Sequence, residues 1–100
     1  SPSDWSFKAI RKADRIELYL PAQVRAGEGR LYFFSHGRQI RSHSPQILRE
    51  KNNEWVLSLM RSKWTSGQET ELGGLLYRKE GWGKNHSSNY LRIGVPFAKD

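Results

Sequence analysis

Alternation of apolar and polar residues predicts a strand near the start of the chain. In RIELYL (15–20), isoleucine and leucine alternate with Glu17 and Tyr19, which is the two-residue period of a half-buried strand. The proline that follows ends the strand, because proline has no N–H to donate to a ladder. The opening SPSDWSFKAIRKA (1–13) favours a short helix with a serine or aspartate cap, although it also alternates in part.

A β-hairpin is predicted in the next segment. RLYFFS (30–35) is rich in aromatic residues, which strands favour. His36 and Gly37 then form a two-residue turn, in which glycine can take a positive φ. RQIRSH (38–43) returns as the partner strand.

A long amphipathic helix is predicted over residues 45–64, with a length of about 30 Å. Ser44 can cap its first turn, and the proline that follows suits the first helical position. Pairs of residues recur on one face about every four positions, except at Lys51 and Asn52, where a pair is missing. These pairs are Ile47 and Leu48, Trp55 and Val56, Leu59 and Met60, and Lys63 and Trp64. Asn52 and Asn53 are the weakest point, where a break is the alternative, and Gly67 ends the helix.

A second hairpin is predicted in the last third. LLYRKE (75–80) rises, GWGKNHSS (81–88) forms the tip and NYLRIGVPF (89–97) descends. Every second residue from Leu91 lies on one face, and Arg92 lies on the other.

Together these elements predict one α+β domain over residues 1–100, in which the long helix (45–64) packs on an antiparallel sheet of two hairpins. In element order, a helix followed by a hairpin with a long basic tip resembles the helix and wing of winged-helix proteins. That resemblance implies a winged-helix-like arrangement as the alternative fold. Because the chain begins with serine, we expect it to be excised from a larger protein.

The net charge narrows the choice of partner. Seventeen Lys and Arg residues against ten Asp and Glu residues give +7. Both halves of the chain are basic, so the charge belongs to the whole domain. Such a field favours polyanions: nucleic acid first, then an anionic membrane surface or an acidic protein. Other domains of the parent protein are further possible partners.

Several classes of site and location are excluded or disfavoured. The chain has no cysteine, which excludes disulfides and thiolate zinc sites. No apolar run approaches the ~20 residues of a membrane span, and an intracellular location, in the cytoplasm or nucleoid, is expected. No cofactor fingerprint is present, so no cofactor is predicted.

Basic residues interleaved with aromatic residues predict a nucleic-acid-binding surface, DNA or RNA. Arginine and lysine neutralise phosphates, aromatic rings stack on bases, and asparagine can donate to phosphates or base edges. The predicted binding residues are Arg38, Arg41, Arg78, Lys79, Trp82, Lys84, Asn85, His86 and Arg92.

Trp82 lies between two glycines at the polar tip of the second hairpin. Either its ring folds back onto the core or it is displayed to a partner. The absence of a helical or strand register around it favours display, with the loop tip entering a groove or stacking on bases.

Two other functions are left open. Two imidazoles can cleave RNA without a metal, one acting as base and one as acid; His36, His43 and His86 are the candidates for a small toxin-like ribonuclease, although a non-enzymatic role is favoured. The third function is a protein-interaction module, in which the aromatic strand 30–35 pairs with a partner strand if it lies at a sheet edge. That strand would carry Phe34 on the face opposite Phe33.

Overall fold

The computed structural model describes residues 5–22, 24, 30–41, 43–82 and 88–99. Within those ranges there is no helix, and strands carry the fold. The strands are β1 (Lys8–Arg11), β2 (Arg15–Tyr19), β3 (Leu31–Ser35), β4 (Ile47–Lys51), β5 (Glu54–Met60), β6 (Glu71–Arg78) and β7 (Tyr90–Ala98). The predicted α+β class is therefore wrong.

The seven strands form one curled mixed sheet, a half-barrel with the order β3-β6-β7-β1-β2-β5-β4. The last strand lies inside the sheet, between β6 and β1. Its pairing with β1 is parallel, whereas each other pair of neighbours is antiparallel. The concave face holds the main core, to which residues from the whole sheet contribute: Ala9, Ile16, Leu18, Phe33, Leu57, Leu59, Leu72, Leu76, Leu91, Ile93 and Val95.

The predicted helix over 45–64 is a β-hairpin instead. Asn52 and Asn53, expected to be its weak point, connect β4 to β5, and both have positive φ, 52° and 65°. Positive φ at both central residues defines the type I′ turn, whose twist matches that of the flanking strands. Asparagine tolerates this conformation better than most residues do. The winged-helix-like alternative fails for the same reason, because the segment that should supply the helix is a strand pair.

The apolar pairs that indicated a helix arise because β5 is buried on both faces. Leu57 and Leu59 belong to the concave core. Val56 points to the convex face, where it packs with Ile10 and Tyr19 in a second, smaller cluster. A strand covered on both sides loses the alternation of a half-buried strand, and its apolar residues become consecutive.

Two other predicted elements are also wrong. The part of the opening helix that the structure describes contains β1 instead. Strand β3 pairs with β6 and not with residues 38–43, of which Ile40 alone among the described ones bridges to another strand end, at Arg61. Gly37 does take the expected positive φ, 73°, but it redirects the chain instead of closing a two-residue hairpin.

Three predicted features are confirmed. RIELYL and RLYFFS form β2 and β3, and the C-terminal hairpin is β6 with β7. Along β7, Leu91, Ile93 and Val95 are buried, and Arg92 is exposed on the opposite face.

Strand β3 lies at one edge of the sheet and is held there by two contacts. Gly74 of β6 permits a close approach, because a Cβ atom at this position would collide with the carbonyl oxygen of Phe34. On the other side of β3, Gln46 pairs with the backbone of Phe33: Phe33 N–H donates to Oε1 over 2.8 Å, and Nε2 donates to the Phe33 carbonyl over 2.9 Å. Because Gln46 immediately precedes β4, one side chain bridges the two ends of the curled sheet.

Candidate nucleic-acid interface

Trp82 is buried, so the expectation that it is displayed is wrong. Its side chain is 2% exposed and belongs to the main core. The indole Nε1 donates to the carbonyl of Asn89 over 3.0 Å, and its ring centroid lies 5.6 Å from that of Trp5. The flanking glycine therefore lets the chain fold the indole inward at the end of β6. A buried ring cannot stack on a base.

The other predicted residues of the second hairpin have different positions. The Arg78 side chain lies beside the Trp82 ring, and its Nη1 donates to the Gly81 carbonyl over 3.3 Å. Arg78 thus supports the end of the hairpin. Lys79 is exposed there, and Arg92 is exposed further along β7. Three predicted residues lie outside the described ones: Lys84, Asn85 and His86.

Arg38 and Arg41 line an open groove of about 790 Å³, here named the basic groove. It lies between two irregular segments, 36–41 after β3 and 61–64 after β5. A backbone hydrogen bond joins these segments, from Ser62 N–H to the Gln39 carbonyl over 2.9 Å. The polar, charged and aromatic side chains that line it are Arg38, Arg41, His43, Ser44, Ser62, Lys63 and Trp64.

Trp64 is the exposed aromatic residue of the basic groove. Its side chain is 66% exposed, whereas the predicted helix assigned it to an apolar face. The Trp64 N–H donates to Ser62 Oγ over 3.0 Å, and the Lys63 ammonium lies 5.2 Å from the ring centroid. An ammonium at that distance is within the range of a cation–π interaction. The groove therefore joins exposed aromatic surface to positive charge.

The arginines in and beside the groove differ in their hydrogen bonds. Arg41 Nε donates to the carbonyl of Arg61 over 3.2 Å. Arg61 itself reaches under the groove, where its Nη1 donates to the Lys12 carbonyl over 2.7 Å. Arg41 is thus partly engaged in holding the two segments together, although it is exposed, as are Arg38 and Lys63.

The loop that follows Trp64 is fixed by the carboxylate of Glu69. Thr65 Oγ1 donates to it over 2.8 Å, and the N–H groups of Ser66 and Gly67 donate over 3.2 and 3.1 Å. Donation from its own backbone N–H, then from Thr65 and Ser66, lowers the pKa of Glu69 to about 2. Arg11 Nη1 of β1 also lies 3.8 Å from Glu69 Oε1. The negative charge of Glu69 therefore holds its own loop and ties it to β1.

Four aromatic side chains lie together on the convex face of β3, β6 and β7. They are Tyr32, Phe34, Tyr77 and Tyr90, here named the aromatic face. Tyr32, Tyr77 and Tyr90 are direct neighbours across the three strands. Ring centroids are 4.8 Å apart for Tyr32 and Phe34, 5.3 Å for Tyr77 and Tyr90, and 6.2 Å for Phe34 and Tyr90. Phe34 is 48% exposed and Tyr90 is 46% exposed.

Cationic side chains border the aromatic face. Arg92 stands across β6 from Phe34, because both residues are paired with Leu75. Arg30 lines the depression over the tyrosines. Sequence reasoning placed Phe34 on the correct face of β3 but did not connect it with Tyr77 and Tyr90. The alternation LLYR against YLR was the available signal, since both tyrosines fall on the polar side of their strands.

The aromatic face and the basic groove are continuous. A small depression between them is lined by Tyr32 and Phe34 at one end and by Gly37 and Ile40 at the other. The first two residues also line the aromatic face, and the last two also line the groove. One surface therefore runs along β3 and beyond it, from aromatic rings to cations.

The histidines and the edge strand β3 give weaker support to the other two hypotheses, a ribonuclease and a protein-interaction module. His43 lines the basic groove, whereas His36 is exposed after β3 and does not, and His86 lies outside the described residues. In the described ranges, no group of three or more His, Cys, Asp or Glu residues could hold a metal ion. Strand β3 does lie at an edge, as the interaction-module hypothesis required, but Gln46 occupies the backbone of Phe33 there.

Comparisons with protein-family models, with curated proteins and with solved structures find no match to this chain. Among the described residues, no helix has the length and apolar character needed to cross a membrane.

Proposed function

We propose that this domain binds nucleic acid and that the basic groove is where the phosphates bind. The observation that carries the proposal is the meeting of Arg38, Arg41 and Lys63 with the exposed Trp64 in one groove. No Asp or Glu lies between residues 30 and 49, so Arg38 and Arg41 have no acidic residue close to them along the chain.

The physical basis is the release of counterions from a polyanion. Each phosphate that meets Arg or Lys releases condensed cations, so affinity falls with added salt. A net charge of +7 adds a field that steers a polyanion toward the protein over distances of about a Debye length, ~8–10 Å. Arg92 and Lys79, both exposed, extend the positive surface beyond the groove.

Salt titration of oligonucleotide binding tests the proposal. We expect the logarithm of affinity to fall linearly with the logarithm of salt concentration, with a slope of about −0.7 per phosphate contact on single strands and about −0.9 on duplex DNA. Arg38→Ala and Lys63→Ala should each weaken binding and reduce the slope by about one contact. Trp64 emission should change on binding, and this change should be absent in Trp64→Phe.

Lys51→Ala is the matched control. It removes one exposed positive charge at the turn end of the β4–β5 hairpin, opposite the end that leads into the groove. It should leave the slope unchanged. Equal weakening by Lys51→Ala and Lys63→Ala would show that net charge alone acts, and absence of binding at about 50 mM salt would refute the proposal.

The same samples test for catalysis. We expect RNA to remain intact, because His36 and His43 do not share the groove. Cleavage that persists in chelator and is abolished by His43→Ala would make the groove the site of a ribonuclease instead.

A further inference from the structure

The aromatic face is apolar surface that the fold leaves open to solvent. Phe34 and Tyr90 are each about half exposed, and their ring centroids lie 6.2 Å apart. Contiguous exposed apolar surface on a small domain marks a binding site more often than isolated exposed residues do. The rings are carried by three hydrogen-bonded strands, so their positions are fixed before any ligand arrives.

We propose that the aromatic face stacks unpaired bases, so that the nucleic acid bound by this domain is single-stranded. This inference rests on the proposed function, because it assigns the bases of the same ligand whose phosphates occupy the basic groove. In a duplex the faces of the bases are covered by their neighbours, whereas in a single strand they can be laid on a protein ring.

The positive charge around the aromatic face favours a single-stranded nucleic acid over an uncharged ligand. A neutral sugar chain or an apolar protein surface would be served by aromatic rings alone. Here Arg92 stands beside the rings, Arg30 borders them, and the surface continues without interruption into the groove of Arg38 and Lys63. Alternation of stacking surface and cations is the arrangement that binds both parts of an unpaired strand.

Four probes of matched length separate the possibilities. They are a single-stranded oligonucleotide of about 12 nucleotides, within the ~4–16 that a small domain covers, its duplex, an abasic strand with the same phosphates, and a neutral glucose oligomer. We expect the single strand to bind most tightly. The abasic strand should retain the salt dependence and lose the contribution of stacking.

Phe34→Ala and Tyr90→Ala should each weaken binding of the single strand by about 5- to 150-fold, the factor that corresponds to ~1–3 kcal/mol per stacked base. They should not affect the abasic strand. Tyr90→Phe keeps the ring and should restore binding. Ile47→Ala removes an equally exposed apolar side chain, 51% exposed, from the other edge of the sheet and should change nothing. Thermal unfolding confirms that each variant is folded.

The outcomes distinguish the two proposals. If the duplex or the abasic strand binds as tightly as the single strand, and Tyr90→Ala has no effect while Lys63→Ala still weakens binding, the stacking inference is wrong and the groove remains. If the glucose oligomer binds and Tyr90→Ala abolishes that binding, the aromatic face is a carbohydrate site and the stacking inference is again wrong. If no oligonucleotide binds, both proposals fail.

Discussion

The two halves of the sheet treat aromatic residues on the convex face in opposite ways. On β1, β2 and β5 the convex face carries Ile10, Tyr19 and Val56, here named the sealed face, and all three are buried. Tyr19 is 8% exposed; its hydroxyl donates to Glu17 over 3.3 Å, and the Lys8 ammonium lies 4.4 Å from its ring centroid. On β3, β6 and β7, Phe34 and Tyr90 of the aromatic face remain about half exposed.

The sealed face shows that this sheet can bury an aromatic residue on its convex side. The sealed face satisfies even a buried carboxylate: Arg15 Nε donates to Glu17 over 3.2 Å, on the side opposite the Tyr19 hydroxyl. Buried charge is tolerated only when it is paired in this way. Among the described residues, Phe34 and Tyr90 have no such cover. This exposure is the reason that the binding proposal is made for the aromatic face and not for the sealed face.

The largest expected effect comes from the concave side, which should be equally well packed in both halves. Trp82→Ala should lower the free energy of unfolding by about 3–5 kcal/mol, because a buried ring and its hydrogen bond are lost. Trp64→Ala should change it by about 0.5 kcal/mol or less, because Trp64 is on the surface. Chemical denaturation measures both. Similar losses for the two variants would show that Trp82 is packed no more tightly than a residue on the surface.

The next largest effect compares the two faces directly. Tyr19→Ala in the sealed face should cost about 3 kcal/mol, the lower part of the range for a buried aromatic residue. Tyr90→Ala in the aromatic face should cost about 1 kcal/mol or less, since half of its surface is already in water. If urea denaturation gave equal costs, the distinction between a sealed and an open half would be lost.

The smallest expected effect concerns the loop behind Trp64 and depends on pH. The pKa of Glu69 is about 2 in the folded protein, against an ordinary glutamate pKa of 4.5. Because the folded pKa is depressed, the stabilisation is present above about pH 4.5 and is lost as pH falls toward 2. Glu69→Gln should lower Tm at pH 6, and its difference from the wild type should disappear near pH 2. A Tm difference independent of pH would contradict this account.

Local patterns were enough to predict β2, β3 and the β6–β7 hairpin, because each alternates in sequence. Strand β2 alternates although both of its faces are buried, since its convex side carries the polar Glu17 and Tyr19. The β4–β5 hairpin could not be predicted from the same pattern. Burial of Val56 on one side and Leu57 on the other depends on what covers each face, which is a property of the whole sheet. The pair Asn52-Asn53 is the local sign of the turn, because asparagine tolerates positive φ. In a predicted helix the same pair is only a weak point.

The lining of the basic groove was predicted in part. Arg38 and Arg41 do lie in one groove, but Lys63 and Trp64 join them through a bridge between Ile40 and Arg61 that no local pattern reveals. The prediction that Trp82 is displayed is wrong for the same reason. The groups that bury it, Trp5 and the backbone of Asn89, come from distant or later parts of the chain.

The central position of β7 has a consequence for how the protein comes into being. Before residues 90–98 have been synthesised, β3 and β6 can form one ladder and β1, β2, β5 and β4 another. The two ladders are then connected by contacts such as the bridge between Ile40 and Arg61 and the hydrogen bonds of Gln46 with Phe33, but by no paired strand. The edges of β6 and β1 are then both open, and open edges are where growing chains aggregate. Pairing of β7 with both β6 and β1 covers these edges and joins the two ladders into one sheet. We expect this closure to be the slow event of folding, in the ~millisecond-to-second range of proteins rich in distant pairings.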